Sequence, residues 1–599
     1  MADLKTSDKV LETDAAHVEK AAVTQDAQIE DAVRAGSIPH VADEKAALKM
    51  AKKGSWEVDA LINQLEEEHR AEGYRKGFFD IQFSNPKLFT VLLVIFASMG
   101  GLLSGLDQSL ISGANLFLPE DLGLSDSQNS LVNAGMPLGA VAGALILSPS
   151  NEYFGRKMSI IISCIFYTIG GALCAGSMNF GMIITARLIL GIGVGLEGGT
   201  VPVYVAETVE RRLRGNLVSL YQLNIALGEV LGYAVAAMFI KVEGNWRYIL
   251  GSSLVFSTIM LIGMLFLPES PRFLMHKGKT LEAFKVWKRI RGIETSDARE
   301  EFFVMKASQE EEDAEIANGA SNKRFPWMDF FTNPRARRAL VYANIMIMLG
   351  QLTGINAVMY YLSVLMSQIG FDDIQANYMS LVGGGALLIG TIPAVFYMER
   401  AGRRFWAMTM LPCFFIGLIL VGVSYEMKTL MGQQGMYLTG IILYNGFFGS
   451  YACLTWVVPS EVYPTYLRSY GMTTSASLLF LCSFIVTYNF SRMMAAMTRR
   501  VDINSLLDDM QLIWFDRIGL TLGFYGGIAI LGLCYQMLFM PETKDKTLEE
   551  IDLIFQKPTR EIVAENWVNV KQTTADLLAF RWGKVFTFQK PRQNMGDEE

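Results

Sequence analysis

Histidine is nearly missing from this chain. Only His17, His40, His69 and His276 occur in 599 residues, and none lies in an apolar run. A buried histidine relay or histidine metal centre is therefore not expected, and proton chemistry in an apolar setting falls to carboxylates. Cysteine is sparse too. Cys164, Cys174, Cys413, Cys453, Cys482 and Cys534 all sit in apolar runs and read as free thiols, not a disulfide framework. Charged residues make up 19% of the chain, below the usual level of about a quarter in soluble domains. There is no Walker-A run, no His/Cys metal spacing and no nucleophile–base constellation. The sequence thus reads as neither an ATP-driven machine nor an enzyme, and no cofactor is expected. The net charge of −7 comes largely from the tails and gives no sign of nucleic-acid binding. The N-terminus is polar up to residue 85 and lacks a hydrophobic signal segment, so targeting falls to the first apolar helix.

Apolar residues, by contrast, are abundant, at 51% of the chain. With 32 Met, 36 Phe and 54 Gly, the composition suits helices packed in lipid, where small residues let backbones approach closely. A spanning helix needs about 20 mostly apolar residues. Such runs start near Leu88, Asn129, Met158, Gly181, Leu217 and Trp246. Six more start near Arg338, Asn377, Phe405, Gly435, Ser469 and Ile518. This predicts an all-α membrane protein of about twelve transmembrane helices.

Lysine and arginine set the orientation. Arg75, Lys76, Lys87, Arg156, Lys157, Arg211, Arg212 and Arg214 flank alternate connections of the first half, and Arg400, Arg403, Arg404 and Arg468 do so in the second. The opposite connections, 115–128 and 370–376, carry acid and no base. Both termini are expected in the cytosol. Arg499 and Arg500 run against the rule, because their connection should be external. The expected organisation is a largely disordered tail over 1–85, a six-helix half over 86–268, a cytosolic linker with short helices over 269–336, a second half over 337–540 and a cytosolic tail over 541–599. A helix-prone piece runs from Asp43 to Glu72 within the first tail.

An internal repeat supports the two halves. Phe154-Gly155-Arg156-Lys157 returns as Ala401-Gly402-Arg403-Arg404. Glu207, with Arg214 seven residues on, returns as Glu461 with Arg468. Pro268-Glu269-Ser270 returns as Pro541-Glu542-Thr543. Duplicated halves of this kind hold their substrate near the midplane and rock around it.

Asp107 lies deep in the first helix, in Gly105-Leu106-Asp107-Gln108-Ser109. A carboxylate in lipid costs several kcal/mol unless paired or protonated, so it marks a functional position. Glu197 is a further intramembrane carboxylate, ten residues after Arg187. Glu229 follows Gln222 by seven residues, two turns along the same helical face, so the two face one cavity if either does.

These features come together in one resemblance. Arg187-x-x-x-Gly191-x-Gly193-x-Gly195, Pro268-Glu269-Ser270-Pro271-Arg272, Gln351-Leu352-Thr353-Gly354-Ile355-Asn356, Glu399-Arg400-Ala401-Gly402-Arg403-Arg404 and Pro541-Glu542-Thr543-Lys544 occur in that order. Over roughly residues 88–555 the chain resembles the sugar porter family of the major facilitator superfamily, and its Cys453–Gly471 stretch is similar to fungal members. The resemblance implies the major facilitator fold and alternating access. It implies that Asp107 takes a proton and that Arg187 pairs with it; a structural pair without proton transport is the other reading. It implies sugar contacts for Gln222, Gln351, Asn356 and Trp456, to which Glu229 is added from its spacing. Asn356 also suits a cap on an unwound segment near Gly354, and Trp456 suits interhelical packing. Finally, it implies that Arg156, Glu207, Arg214, Glu399, Arg403, Glu461 and Arg468 form a cytosolic gate, with pairs across the halves. Simple adherence to the positive-inside rule is the alternative.

The chain also departs from the family pattern. Gly350 stands where a second Gln is usual, Leu387 where Asn is common, and Ala452-Cys453 where a Gly-Pro pair often precedes the Trp. Two lost polar contacts argue against a standard glucose site and toward fructose, a pentose or a polyol. Intramembrane carboxylates argue against anionic substrates. The expected function is proton-coupled uptake of a monosaccharide (hexose or pentose) or polyol, with the plasma membrane as default location. The partners are the substrate, protons and the bilayer. A facilitative uniporter and a non-transporting sugar sensor are the alternatives.

Overall fold

The computed structural model describes residues 55–71, 86–208, 214–293, 296–317, 326–425, 427, 429–464, 467–497, 524–544, 551 and 554–578. Every regular element described there is a helix. α1 (Ser55–Ala71) comes first. The first half holds α2 (Pro86–Ala114), α3 (Asp126–Leu145), α4 (Leu147–Tyr153), α5 (Arg156–Ala175), α6 (Phe180–Thr208), α7 (Arg214–Phe239), α8 (Asn245–Gly251) and α9 (Ser253–Phe266). α10 (Thr280–Arg291) and α11 (Ser296–Ala317) follow. The second half holds α12 (Pro334–Gln351), α13 (Ile355–Gln368), α14 (Asp373–Ala401), α15 (Arg403–Ser424), α16 (Leu430–Ala452), α17 (Leu454–Val462), α18 (Arg468–Met497) and α19 (Gly526–Phe539). α20 (Thr559–Leu578) ends the described chain.

Among the described residues, ten helical stretches are long and apolar enough to cross a bilayer. The α3–α4 pair, bent by 46°, makes an eleventh, and α19 is a shorter apolar helix. The start expected near Ile518, like Arg499 and Arg500, lies outside the described residues. The helices begin a few residues ahead of the apolar runs because polar caps extend them. Ser125 and Gln128 form a reciprocal capping box on α3, Asn333 caps α12 and Thr429 caps α16. The repeated Pro-Glu motif caps two more helices. Glu269 accepts from the backbone N–H of Arg156 and Lys157 at 3.0 and 3.1 Å. Glu542 does the same for Arg403 and Arg404 at 3.0 and 3.1 Å. Each carboxylate thus satisfies orphan donors at a positive helix end.

Most of α10 joins α1 and α11 in a small unit of its own. Ile62, Leu65, Phe284, Phe302 and Phe303 are buried there, and Lys288 donates to Glu66 at 2.6 Å.

The membrane unit is built twice over from the same packing. α2 lies along α7, and α6 lies against α3 and α5; in the second half α16 takes the place of α6, between α14 and α15. The Gly-x-Gly-x-Gly run explains one of these contacts. A Cβ on Gly191 or Gly195 would lie 2.2 or 2.0 Å from the carbonyl oxygens of Met136 and Ala140, so only glycine lets α6 approach α3 this closely. The halves meet along α3–α18 and α7–α14. At the end carrying the basic connections, Tyr470 donates to Glu152 at 2.8 Å and Ser148 meets Ser469 at 3.5 Å. At the opposite end, Ser363 N–H donates to the Ser112 hydroxyl at 3.1 Å. Two stretches of the second half are broken mid-course. α12 gives way to α13 at Gly354, whose φ is +96°, and α16 gives way to α17 at Cys453.

Candidate functional site

α2 crosses the centre of the first half with two chemically different faces. Ser104 and Gln108 face a central cavity. Asp107, 100° round the helix from Gln108, turns instead to α6, where Arg187 donates to its Oδ1 at 2.5 Å. Both side chains are buried, and Arg187 Nε also donates to the Val132 carbonyl at 3.3 Å. The pair therefore lies directly behind the cavity wall. Asp107 Oδ2 and Arg187 Nη2 have no hydrogen-bond partner among the described residues, so the bond between them is single rather than a bidentate fork.

The cavity measures about 70 Å³, several times the roughly 10–15 Å³ that one water needs. Gln222, Glu229, Gln351, Asn356 and Trp456 all line it. The halves share these groups through hydrogen bonds. Trp456 Nε1 donates to Gln222 Oε1 at 3.0 Å, across the halves. Asn356 donates to Gln351 at 2.5 Å and accepts from Gln108 at 3.5 Å. Asn356 therefore does not cap α13; Gly354 holds that position with no side-chain bond. Trp456 packs edge-on to Tyr221 with ring centroids 5.1 Å apart, and its N–H is held by Gln222. Glu229 is buried, and its Oε2 has no partner among the described residues. Glu197 is buried as well but lies away from the cavity.

Of the departures from the family pattern, Leu387 and Ala452 face the cavity. Gly350 does not; it faces the Tyr451 ring. Gln108, Tyr360, Thr455 and Ser483 also line the cavity and were not anticipated. Gln108 had a signal, as an amide beside the buried Asp107. The others are single polar groups in apolar runs, and nothing in the sequence gives their facing.

The basic end carries one charge cluster per half. Arg156 meets Glu207 at 2.8 Å, and Glu207 accepts from Ser270 at 2.5 Å. Arg403 meets Glu461 at 2.5 Å, and Glu461 accepts from Thr543 at 2.8 Å. Burial holds the Glu269 carboxyl above its ordinary range, offset by backbone N–H donors and Arg156. The three repeated motifs thus converge into one cluster, twice. Both of these ion pairs close within a half. The reason is local: Arg156 opens α5 and Arg403 opens α15, each beside the acidic end of its own half's neighbouring helix. Arg468 is half-buried at the start of α18. The side chains of Arg214 and Glu399 lie outside the described residues.

Comparison with known proteins adds an independent line. Residues 93–555 match the family described as "Sugar (and other) transporter". The chain is similar to the Myo-inositol transporter FST1 of Gibberella moniliformis, 69% identical over 554 residues that cover 92% of this chain and 93% of that one. It is similar to the Proton myo-inositol cotransporter of Homo sapiens at 27% identity, over 78% of this chain and 82% of that one. Among solved structures, the proton:xylose symporter XylE from E. coli, bound to 6-bromo-6-deoxy-D-glucose, aligns with a TM-score of 0.65 at 24% identity, covering 79% of this chain and 100% of that one.

Proposed function

The chain belongs to the sugar transporter family, and on that premise we propose that it is a proton-coupled symporter of a neutral polyol of the myo-inositol kind. The observation that carries the coupling is the buried Asp107–Arg187 pair directly behind the cavity wall. A lone carboxylate there would be costly, so the side chain must keep either the guanidinium or a proton. A shift of α2 against α6 as the halves rock exchanges one for the other, which ties proton binding to access.

The substrate follows from the lining and the relatives. Three glutamines, an asparagine and an indole N–H offer donors and acceptors to hydroxyl groups. No Lys, Arg or His stands among the described lining residues to attract an anion. Leu387 leaves one wall apolar, which suits the C–H face of a ring better than a further hydroxyl. The 69% identity to a protein named a myo-inositol transporter supports the cyclic polyol over a hexose or pentose. In the same reading the basic end faces the cytosol, the plasma membrane is the site of action, and the linker and tails are cytosolic. The Tyr470–Glu152 and Ser148–Ser469 contacts hold that end shut when the opposite end opens, and the two charge clusters brace it within each half.

The test is uptake in yeast lacking its own inositol and hexose carriers. Adding myo-inositol to a weakly buffered suspension should raise external pH, and the rise should vanish in Asp107→Asn. Labelled inositol uptake without a pH change would make the protein a facilitator. A pH rise with hexoses and none with inositol would overturn the substrate.

A further inference from the structure

The contact between α7 and α14 holds a buried amide at the end away from the basic connections. Asn377, in the second turn of α14, is fully buried, and neither its Oδ1 nor its Nδ2 has a hydrogen-bond partner among the described residues. Two helices of the other half fix its place. A Cβ on Gly113 of α2 would stand 3.6 Å from Asn377 Nδ2 and 3.7 Å from Oδ1, and 2.6 Å from the Ala236 Cβ of α7. The amide therefore points across the halves into a notch that a glycine leaves. Gly113 follows Gln108 by five residues, and Ala236 follows Glu229 by seven. At 1.5 Å per residue the amide lies about 8–11 Å beyond the cavity groups along both helices.

Neighbouring polar groups at this end are bonded. Ser363 N–H donates to Ser112 Oγ at 3.1 Å, and Tyr233 donates to the Met359 carbonyl at 2.8 Å, both across the halves. The hydroxyls of Ser363 and Ser380 meet at 3.1 Å. Those bonds favour closure. An amide shut in without a partner opposes it, by the desolvation of a group that water would otherwise bond. An apolar side chain in the same notch carries no such cost. Once α14 parts from α2 and α7, water reaches the amide and the cost disappears, so it weighs on the shut state alone.

We propose that Asn377 is the release element of this end. It keeps the shut state shallow, so that the empty carrier returns readily to the form open on this side. The apparent affinity for substrate arriving there falls with the fraction of carrier open to it. Asn377 thereby sets the working affinity from this side, although it does not line the central cavity.

This inference rests on the alternating-access part of the proposed function and not on its proton. The full chain carrying Ser112→Cys is reconstituted in lipid nanodiscs, and labelling by a bulky hydrophilic maleimide is timed. Ser112 is fully buried and bonded across the same seam, so a thiol there reacts only when this end parts. The chain without the added cysteine gives the background of its own thiols, Cys534 among them. Asn377→Leu and Asn377→Ala are then added in turn; both remove the amide, one with added bulk and one without. Labelling should slow roughly tenfold in at least one of them, the scale of relieving the shut state of an unpaired buried amide. Ser148→Cys, at the basic end and equally buried, should label no slower in that variant. Unchanged or faster labelling of Ser112→Cys in both variants would overturn the proposal and leave alternating access intact. Slowing at both ends would overturn it too, since that marks a general stiffening. No labelling of Ser112→Cys even with Asn377 present would sink rocking at this end, and the transport reading with it.

Discussion

Glu229 and Leu387 face the same cavity and pull its chemistry in different directions. Glu229 adds an acceptor with an oxygen to spare, whereas Leu387 removes a polar group that the family commonly supplies there. Replacing Glu229 with Gln should weaken inositol binding by about 1–2 kcal/mol, roughly a tenfold rise in KM, read as the concentration for half-maximal uptake. Leu387→Asn should act on selectivity. It should let glucose compete with labelled inositol at roughly tenfold lower concentration, while inositol KM moves less. At this scale the residues singled out in the sequence come to one cavity, while most facings could not be read from it. The seven-residue spacing of Gln222 and Glu229 was enough to put both on one wall. Nothing in the sequence joins Trp456 to Gln222, 234 positions apart, because that bond exists only once the halves have met.

Among the elements, the breaks matter most. Gln351 and Asn356 flank the α12–α13 break, and Ala452, Thr455 and Trp456 flank or follow the α16–α17 break. Gly354 makes the first of them possible, since its φ of +96° is one that a side chain rarely tolerates. A Cβ there would also meet the Tyr525 ring at 2.9 Å. Gly354→Ala should cost about 1–2 kcal/mol and lower the melting temperature in detergent by a few degrees. It should reduce uptake more than the stability loss accounts for, because Gln351 and Asn356 turn with it. The helices themselves were legible in the apolar runs, which need only length and composition. The broken stretches were less so, since an apolar run reads the same whether or not its backbone stays helical throughout.

At the scale of the whole molecule, both ends of the central cavity are bridged. Ser148 meets Ser469 at the basic end, and Ser112 meets Ser363 at the other. Alternating access requires each bridge to part in turn. The double substitutions Ser148→Cys with Ser469→Cys, and Ser112→Cys with Ser363→Cys, should each arrest uptake on oxidation and recover it on reduction. Single cysteine variants serve as the control. Uptake that survives a crosslink at either end would rule out rocking about that interface. The twofold plan was visible in the repeated motifs, whose offsets match the spacing of the two halves. The charges of Arg156–Glu207 and Arg403–Glu461 pair within their own halves, because each motif set is completed by its own copy.

The breaks fall unevenly on that plan. Gln108, Gln222 and Glu229 sit in the unbroken interiors of α2 and α7, while the second half presents its cavity groups from beside Gly354 and Cys453. Duplication made two copies, and they have since divided the labour. One is the frame, which presents its cavity groups from unbroken helix interiors. The other is the hand, jointed at two knuckles, from which Gln351, Asn356, Thr455 and Trp456 reach the cavity.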